Sequence, residues 1–480
     1  MEPLPVSDLP FDGIDGSTGE PLHPPLTVDD AATLAQRLAP EARQVAEAAA
    51  WRRAVTTPHL GTTADPKDLS ATGWGAIFPR DTDPAVIEAL KELLDHRRQA
   101  AGDRFRLYTG EDGYRPGEKK DEFLARHGVG PGPADPDKMP YYLLLVGDPE
   151  QIPWTFQHQI DLQYALGRIA FDTAEDYACY ARSVVKTETR GTLLPRRAVF
   201  FGVENPGDMA TQYTARYLVQ PLAGSLAAER PDWSVETVLS AEATKARLGR
   251  LLGCDDTPAF LFTACHGMGF PAGDPRQLGH QGALLCQDWP GRAAWKGPLP
   301  PDHYFAGDDV AGDARLGGLI SFHYACHAGG TPQLDAFPPP GGERRTLAPQ
   351  PFAARLPRRL LSHPRGGALA VVGHVERTWG YSFLWDGAGQ QPQVFEGFLT
   401  QLLDGFPIGA ALESFALRYA ELAEMLASTL EEIDFGATPD AKELCRLWTA
   451  RSDARAYVLA GDPAVRLPAA LHPPRTVGAP

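Results

Sequence analysis

Residues 259–267, AFLFTACHG, and residues 316–326, LGGLISFHYAC, are two unbroken apolar runs, each ending at a reactive side chain: His266 in the first and Cys326 in the second. A short apolar run without alternation is what a strand buried on both faces requires. The pattern recurs at 74–78 (WGAIF), 105–109 (FRLYT), 141–148 (YYLLLVGD), 196–203 (RRAVFFGV), 234–239 (SVETVL) and 366–374 (GGALAVVGH). Between these runs lie stretches of helical periodicity, DPAVIEALKELLDHRRQ at 83–99, EDYACYARSVVKTE at 175–188 and TQYTARYLVQPLAGSLA at 211–227. Strands alternating with helices predict an α/β fold, doubly wound, with a mostly parallel sheet flanked by helices.

Outward from this core the composition changes. Residues 1–70 mix Pro, Asp and Gly with an Ala-rich helical stretch at 27–55 and are expected to form a partly helical accessory arm. A first, non-catalytic α/β subdomain is expected over 71–192, with a polar, Gly- and Pro-punctuated excursion at 110–140. A catalytic α/β subdomain follows over 193–470, turning helical after residue 390 and closing on a short strand in AYVLAGDPAVRL at 456–467. Residues 471–480 are expected to be a frayed tail.

Charge narrows the function classes. A net charge of −16 without a basic run disfavours nucleic-acid binding. No apolar run approaches the roughly 20 residues of a membrane span, and the first residues lack a secretory pattern, so a soluble cytoplasmic protein is expected. The six cysteines form no CxxC pair, which argues against a zinc knuckle or a dithiol redox centre. Neither a cofactor nor a metal is expected: GxxxxGK[ST], GxGxxG between strand and helix, and HExxH are all missing. His280, His303, His323, His327 and His374 keep a metal site open as a competing chemistry.

In an open α/β sheet, reactive groups collect beyond the carboxyl ends of the strands, so His266 and Cys326 can form a pair. A thiolate is a nucleophile, and an imidazole beside it lowers the thiol pKa and later protonates a leaving amine. Gly267 lets its backbone N–H approach a substrate carbonyl closely, with the Cys326 N–H as companion oxyanion donor. Cys265 is the alternative nucleophile, but adjacent strand side chains point to opposite faces, which turns it into the packing. Asp148 and Asp462 each open a Gly-Asp-Pro turn and read as structural.

A strand ending in His-Gly followed by one ending in Ala-Cys resembles the caspase and gingipain superfamily of cysteine peptidases. Further blocks, YYLLLVGDPEQIP at 141–153, DLQY at 161–164, LGRIAFDTAEDYACYARSVVKTE at 166–188 and YVLAGDPAVRL at 457–467, look like gingipain-like peptidases in the same order. The resemblance implies a caspase-like fold and an endopeptidase with Cys326 as nucleophile, His266 as proton-transfer partner and Glu204 as the acid supporting the histidine. It implies Asp208 as the floor of a specificity pocket, with Thr211 as the alternative occupant of that place, Trp379 as a pocket wall, and Asp161 as another acid able to hold a substrate. Cleavage after Arg in preference to Lys follows, while Arg377 keeps an acidic preference open. The insertion-like stretch at 281–312 departs from the family pattern. Protein or peptide substrates, a regulatory protein partner and limited intracellular cleavage are the implied setting. The other function classes are a silent scaffold binding partners through the arm and a nucleotide-binding switch.

Overall fold

The computed structural model describes residues 10–11, 13–22, 27–37, 64–190, 194–253, 256–337, 344–385, 387–438 and 440–471. Residues 38–55 of the expected arm helix and residues 472–480 of the expected tail lie outside these.

The apolar runs form one ten-stranded sheet. In chain order the strands are β1 (Trp74–Ile77), β2 (Phe105–Tyr108), β3 (Tyr142–Val146), β4 (Ala165–Ile169), β5 (Arg197–Gly202), β6 (Ser234–Leu239), β7 (Phe260–Ala264), β8 (Ile320–Tyr324), β9 (Ala370–His374) and β10 (Tyr457–Gly461). They lie side by side as β2-β1-β3-β4-β10-β9-β8-β7-β5-β6. The pairings β1–β2, β1–β3, β3–β4, β5–β6, β5–β7, β7–β8 and β8–β9 are parallel, and β10 runs antiparallel to β9. The expected α/β architecture with a mostly parallel sheet is therefore present.

The proposed boundary near residue 192 falls between β4 and β5 in the chain, yet a single sheet crosses it. β10, the last strand, is inserted at the junction and touches both β4 and β9. Trp154, a few residues beyond the carboxyl end of β3, packs with Val375, just beyond β9, and with Ala456 and Val458 at the start of β10. Through Trp154, the segment after β3 reaches the carboxyl edge of β9, where reactive groups are expected in such sheets.

Register at that edge is fixed by aromatic packing underneath. Phe262 of β7 stacks on Phe322 of β8 at 5.2 Å, and Phe322 meets Phe395, Phe398 and Phe415 at 5.7, 5.5 and 5.8 Å. These partners come from the helices Gln393–Leu403 and Glu413–Asp434. Sliding β8 by one residue would turn Phe322 away from all of them. With each aromatic pair worth about 0.5–1.5 kcal/mol beyond area burial, the Ala264–Tyr324 register is strongly held.

Asp462 plays the structural part its Gly-Asp-Pro context suggests. Its carboxylate accepts from Trp74 Nε1 at 2.9 Å, Arg97 Nε at 2.7 Å and the Ala464 N–H at 2.9 Å, all buried. Glu188 takes the other side of the Arg97 guanidinium in two bonds, at 2.8 and 2.7 Å. Asp462→Ala strips a buried cation of one partner, so a loss of about 3 kcal/mol in urea unfolding is expected. A midpoint unchanged from wild type would show that Glu188 alone neutralises Arg97.

The arm is integrated. The helix Val28–Arg37 packs Ala32, Leu34 and Ala35 against Leu444, Leu447 and Trp448 of the helix Ala441–Arg455. At the carboxyl edge of the sheet, Pro10–Phe11 pairs with Thr378–Trp379 and Ile14–Asp15 with Met268–Gly269. No helix among the described residues is long and apolar enough to cross a membrane.

Candidate active site

β7 and β8 end in register at Ala264 and Tyr324, so His266 and Cys326 each stand two residues beyond a paired position on the same sheet edge. The backbones touch directly afterwards. A Cβ on Gly267 would fall 1.8 Å from the Cys326 oxygen and 3.0 Å from its nitrogen, so only glycine fits there. This close approach packs the Gly267 backbone directly against that of Cys326. After Cys326 the chain turns sharply through His327, whose φ of 58° lies in the left-handed region, and the His327 N–H reaches the Glu376 carbonyl at 3.1 Å. Strain at a non-glycine residue beside the thiol is the kind of backbone outlier that concentrates at functional sites.

The Cys326 thiol is 1% exposed. The Thr378 N–H donates to its sulfur at 3.3 Å, and the Thr378 hydroxyl oxygen lies 3.4 Å away. Cys265 is packed in the main core, and burial pushes its thiol well above the ordinary range, as suits a core residue.

The acid on His266 is Asp208, which bonds Nε2 at 2.8 Å. Asp208 caps the helix Met209–Thr214, accepting from the Thr211 N–H at 2.9 Å, and the two constraints fix the carboxylate. Its burial would raise the pKa. The charge and hydrogen bond of His266, with the Thr211 bonds, outweigh that and hold the carboxyl well below the usual range. Thr211 is thus a capping partner, and its hydroxyl accepts the Asn205 N–H at 3.0 Å.

Three expected roles change. Glu204 does not reach His266: its carboxylate bonds the Ser240 hydroxyl, and its backbone N–H donates to Gln287 Oε1 at 2.7 Å. Asp208 is not a pocket floor, because one carboxylate oxygen faces His266 and the other the helix cap. Asp161, at the end of the helix Trp154–Ile160, borders a small crevice with Tyr141, Tyr164 and Glu413, away from Cys326. Trp379 does stand beside the site, following Thr378; its N–H donates to Asp453 at 2.9 Å and its ring packs on Phe337. Arg377 is paired with Asp335 and lies over Phe337.

Thr378, which touches the thiol, and Asp453, which holds Trp379 from the far helix, carry no motif that sequence reading could use. The N-cap position of Asp208 had a signal in the Asp-x-x-Thr spacing of 208–211, which anchors the side chain but does not point it at a histidine. Because its carboxylate bonds Ser240 and does not reach His266, Glu204→Gln is expected to change turnover less than about twofold in a continuous peptide assay. A drop of tenfold or more would return Glu204 to the histidine.

The histidines of the competing metal reading are dispersed among separate partners. His280 Nδ1 meets the Tyr304 hydroxyl at 2.7 Å, His323 Nδ1 the Thr263 hydroxyl at 2.8 Å, and His374 Nδ1 the Glu376 carbonyl at 2.9 Å. Among the described residues, no group of three His, Cys, Asp or Glu side chains is arranged to hold a metal ion.

No protein-family profile matches the chain, and no curated protein sequence does. Among solved structures it is similar to one described as a protease, at 13% identity and a TM-score of 0.47, covering 83% of this chain and 79% of that one. It is similar to the Arg-specific cysteine proteinase gingipain R at 12% identity and a TM-score of 0.46, covering 83% and 78%. It also matches a complex of pro- and mature domains of the Porphyromonas gingivalis protein RgpB, at 13% identity, TM-score 0.46, and 82% and 79% coverage.

Proposed function

We propose that the chain is a cysteine peptidase, with Cys326 as nucleophile, His266 as proton carrier and Asp208 as the residue that positions the imidazole. The observation that carries this reading is the buried Asp208–His266 hydrogen bond on the same sheet edge as a cysteine whose backbone packs on Gly267. Asp208 occupies Nε2, which leaves Nδ1 as the ring nitrogen for the thiol. His266 takes the Cys326 proton, and the thiolate attacks a peptide carbonyl. The oxyanion forms at the Gly267 and Cys326 amides, and collapse expels the amine with the proton from His266. Water then hydrolyses the thioester, with His266 as base. The test is mass spectrometry of a peptide library incubated with wild type and with Cys326→Ala. Cleavages that require Cys326 support the reading, and their absence both from wild type and from the chain carrying Gly13→Val, which displaces the strand Ile14–Asp15 from Met268–Gly269, overturns it.

The finer expectation, cleavage after Arg, loses its support once Asp208 and Asp161 are assigned elsewhere. A cavity of about 460 Å³, lined in part by Val375 and Glu376 just before Thr378 in the chain, supports the acidic alternative. Lys119, Lys120, Arg344, Arg451 and Arg455 line it together with Asp121, Glu122 and Glu376. The Glu376 carboxyl is pushed up to about 7 by burial and then by Asp335, which reduces its negative charge near neutrality. Fluorogenic peptides ending in Asp are therefore expected to be cut faster than those ending in Arg or Lys. Faster cleavage after Arg would restore the basic reading.

A further inference from the structure

A peptidase whose nucleophile is 1% exposed cannot meet a substrate until something moves. What lies over Cys326 is the chain's own beginning. Pro10 and Phe11 pair antiparallel with Trp379 and Thr378, the latter being the residue that touches the thiol. Ile14 and Asp15 then pair in parallel with Met268 and Gly269, directly after His266-Gly267. The Ile14 N–H donates to the Gly267 carbonyl at 3.1 Å and the Gly16 N–H to the Gly269 carbonyl at 2.8 Å. Between the two pairings stands Gly13: a Cβ added to it would lie 2.6 Å from the Gly267 oxygen and 3.5 Å from the Cys326 Cβ.

We infer that residues 10–11 and 13–15 occupy the substrate cleft as a bound peptide does, and that the cleft accepts extended peptides carrying glycine where Gly13 sits. The inference rests on Cys326 being the peptidase nucleophile and adds to that reading what the cleft holds and what must leave it. An extended peptide that adds to exposed strand edges gains affinity from main-chain hydrogen bonds and specificity from side-chain space. Here the space over the thiol is closed to any Cβ, because the nearest atom is a backbone oxygen fixed by the sheet. The Gly13 carbonyl is itself held by the Leu22 N–H at 2.7 Å, so this carbonyl does not face the oxyanion amides. Ser17 anchors the far end, donating to Asp274 at 3.1 Å and accepting from Arg276 at 2.8 Å. The segment is tied down on both sides of the thiol.

The experiment measures the rate at which iodoacetamide alkylates Cys326 in the full chain, read by peptide mass spectrometry. Gly13→Val pushes a side chain into the Gly267 oxygen, and Gly16→Leu, whose Cβ would lie 2.3 Å from the Phe270 ring, dislodges the same segment from a second point. Each variant, folded by circular dichroism, is expected to react at least about tenfold faster than wild type, the factor given by about 1.4 kcal/mol of lost seating. A synthetic peptide of residues 9–18 added to Gly13→Val is expected to slow alkylation again, and the same peptide with Val for Gly13 is not. Wild-type rates in both folded variants, or no protection by the glycine peptide, overturn the inference. Faster alkylation with peptide protection but no cleavage of any library peptide would remove the peptidase reading and leave the occupied cleft standing. Full peptidase activity in wild type, unchanged in both variants, would do the reverse.

Discussion

Cys326→Ala is expected to leave no measurable peptide cleavage, and His266→Ala to fall to the same floor. The two side chains act as one unit, since the thiol is reactive only as thiolate and the imidazole has no other route into the reaction. Loss of either, or of both together, should lower kcat by on the order of 10⁴- to 10⁶-fold. For Cys326→Ala, stability should barely follow. Cys326→Ala removes one sulfur beyond the strand end, and the aromatic stack of Phe262, Phe322, Phe395 and Phe415 that holds the register lies below it. Circular dichroism and urea midpoints near wild type, together with lost turnover, are the expected pair of results. Retained turnover in Cys326→Ala would move the nucleophile elsewhere. Cys265 is a poor substitute, because burial keeps its thiol protonated.

The sheet was legible because its signal is local. Runs such as AFLFTAC and LGGLISFHYAC contain their own strand assignment, and β7 and β8 follow them closely. That His266 and Cys326 follow neighbouring strands at one sheet edge was legible for a related reason, since parallel neighbours share an edge. The acid was not. Glu204 and Asp208 lie on one loop, and which of them faces the histidine depends on a helix cap, where Asp208 is locked by Thr211 while Glu204 turns to Ser240. Periodicity says nothing about such a choice. Nor could it reveal that Pro10–Phe11 and Ile14–Asp15 pair at the sheet edge, because a two-residue strand pairing with a partner hundreds of positions away leaves no pattern in either segment. Thr378 was hidden in the same way: its contact with the thiol exists only through the long-range placement of β9 beside β8.

Asp208→Asn separates the two roles that this residue has carried. As the positioning partner of His266, the carboxylate fixes the ring tautomer and stabilises the imidazolium, and an amide there offers an N–H or a neutral oxygen in its place. Turnover should then fall by roughly 10²- to 10⁴-fold. It should fall equally for peptides ending in Arg, Lys and Asp, with KM little changed, because the histidine acts on every substrate. A pocket floor would behave differently: KM would rise for basic peptides alone, and the ratio of Arg to Asp cleavage would collapse. The fold should survive, since Asn can still accept the Thr211 N–H and cap the helix. Acid stability supplies an independent readout. The Asp208 carboxyl has its pKa lowered in the folded chain, so its contribution is complete above the unfolded value of about 3.9 and is lost as pH falls toward the folded value. Wild type should therefore lose stability relative to Asp208→Asn as the pH drops below about 4. Parallel acid-unfolding curves, with basic peptides alone impaired, would return Asp208 to the pocket and leave His266 without its acid.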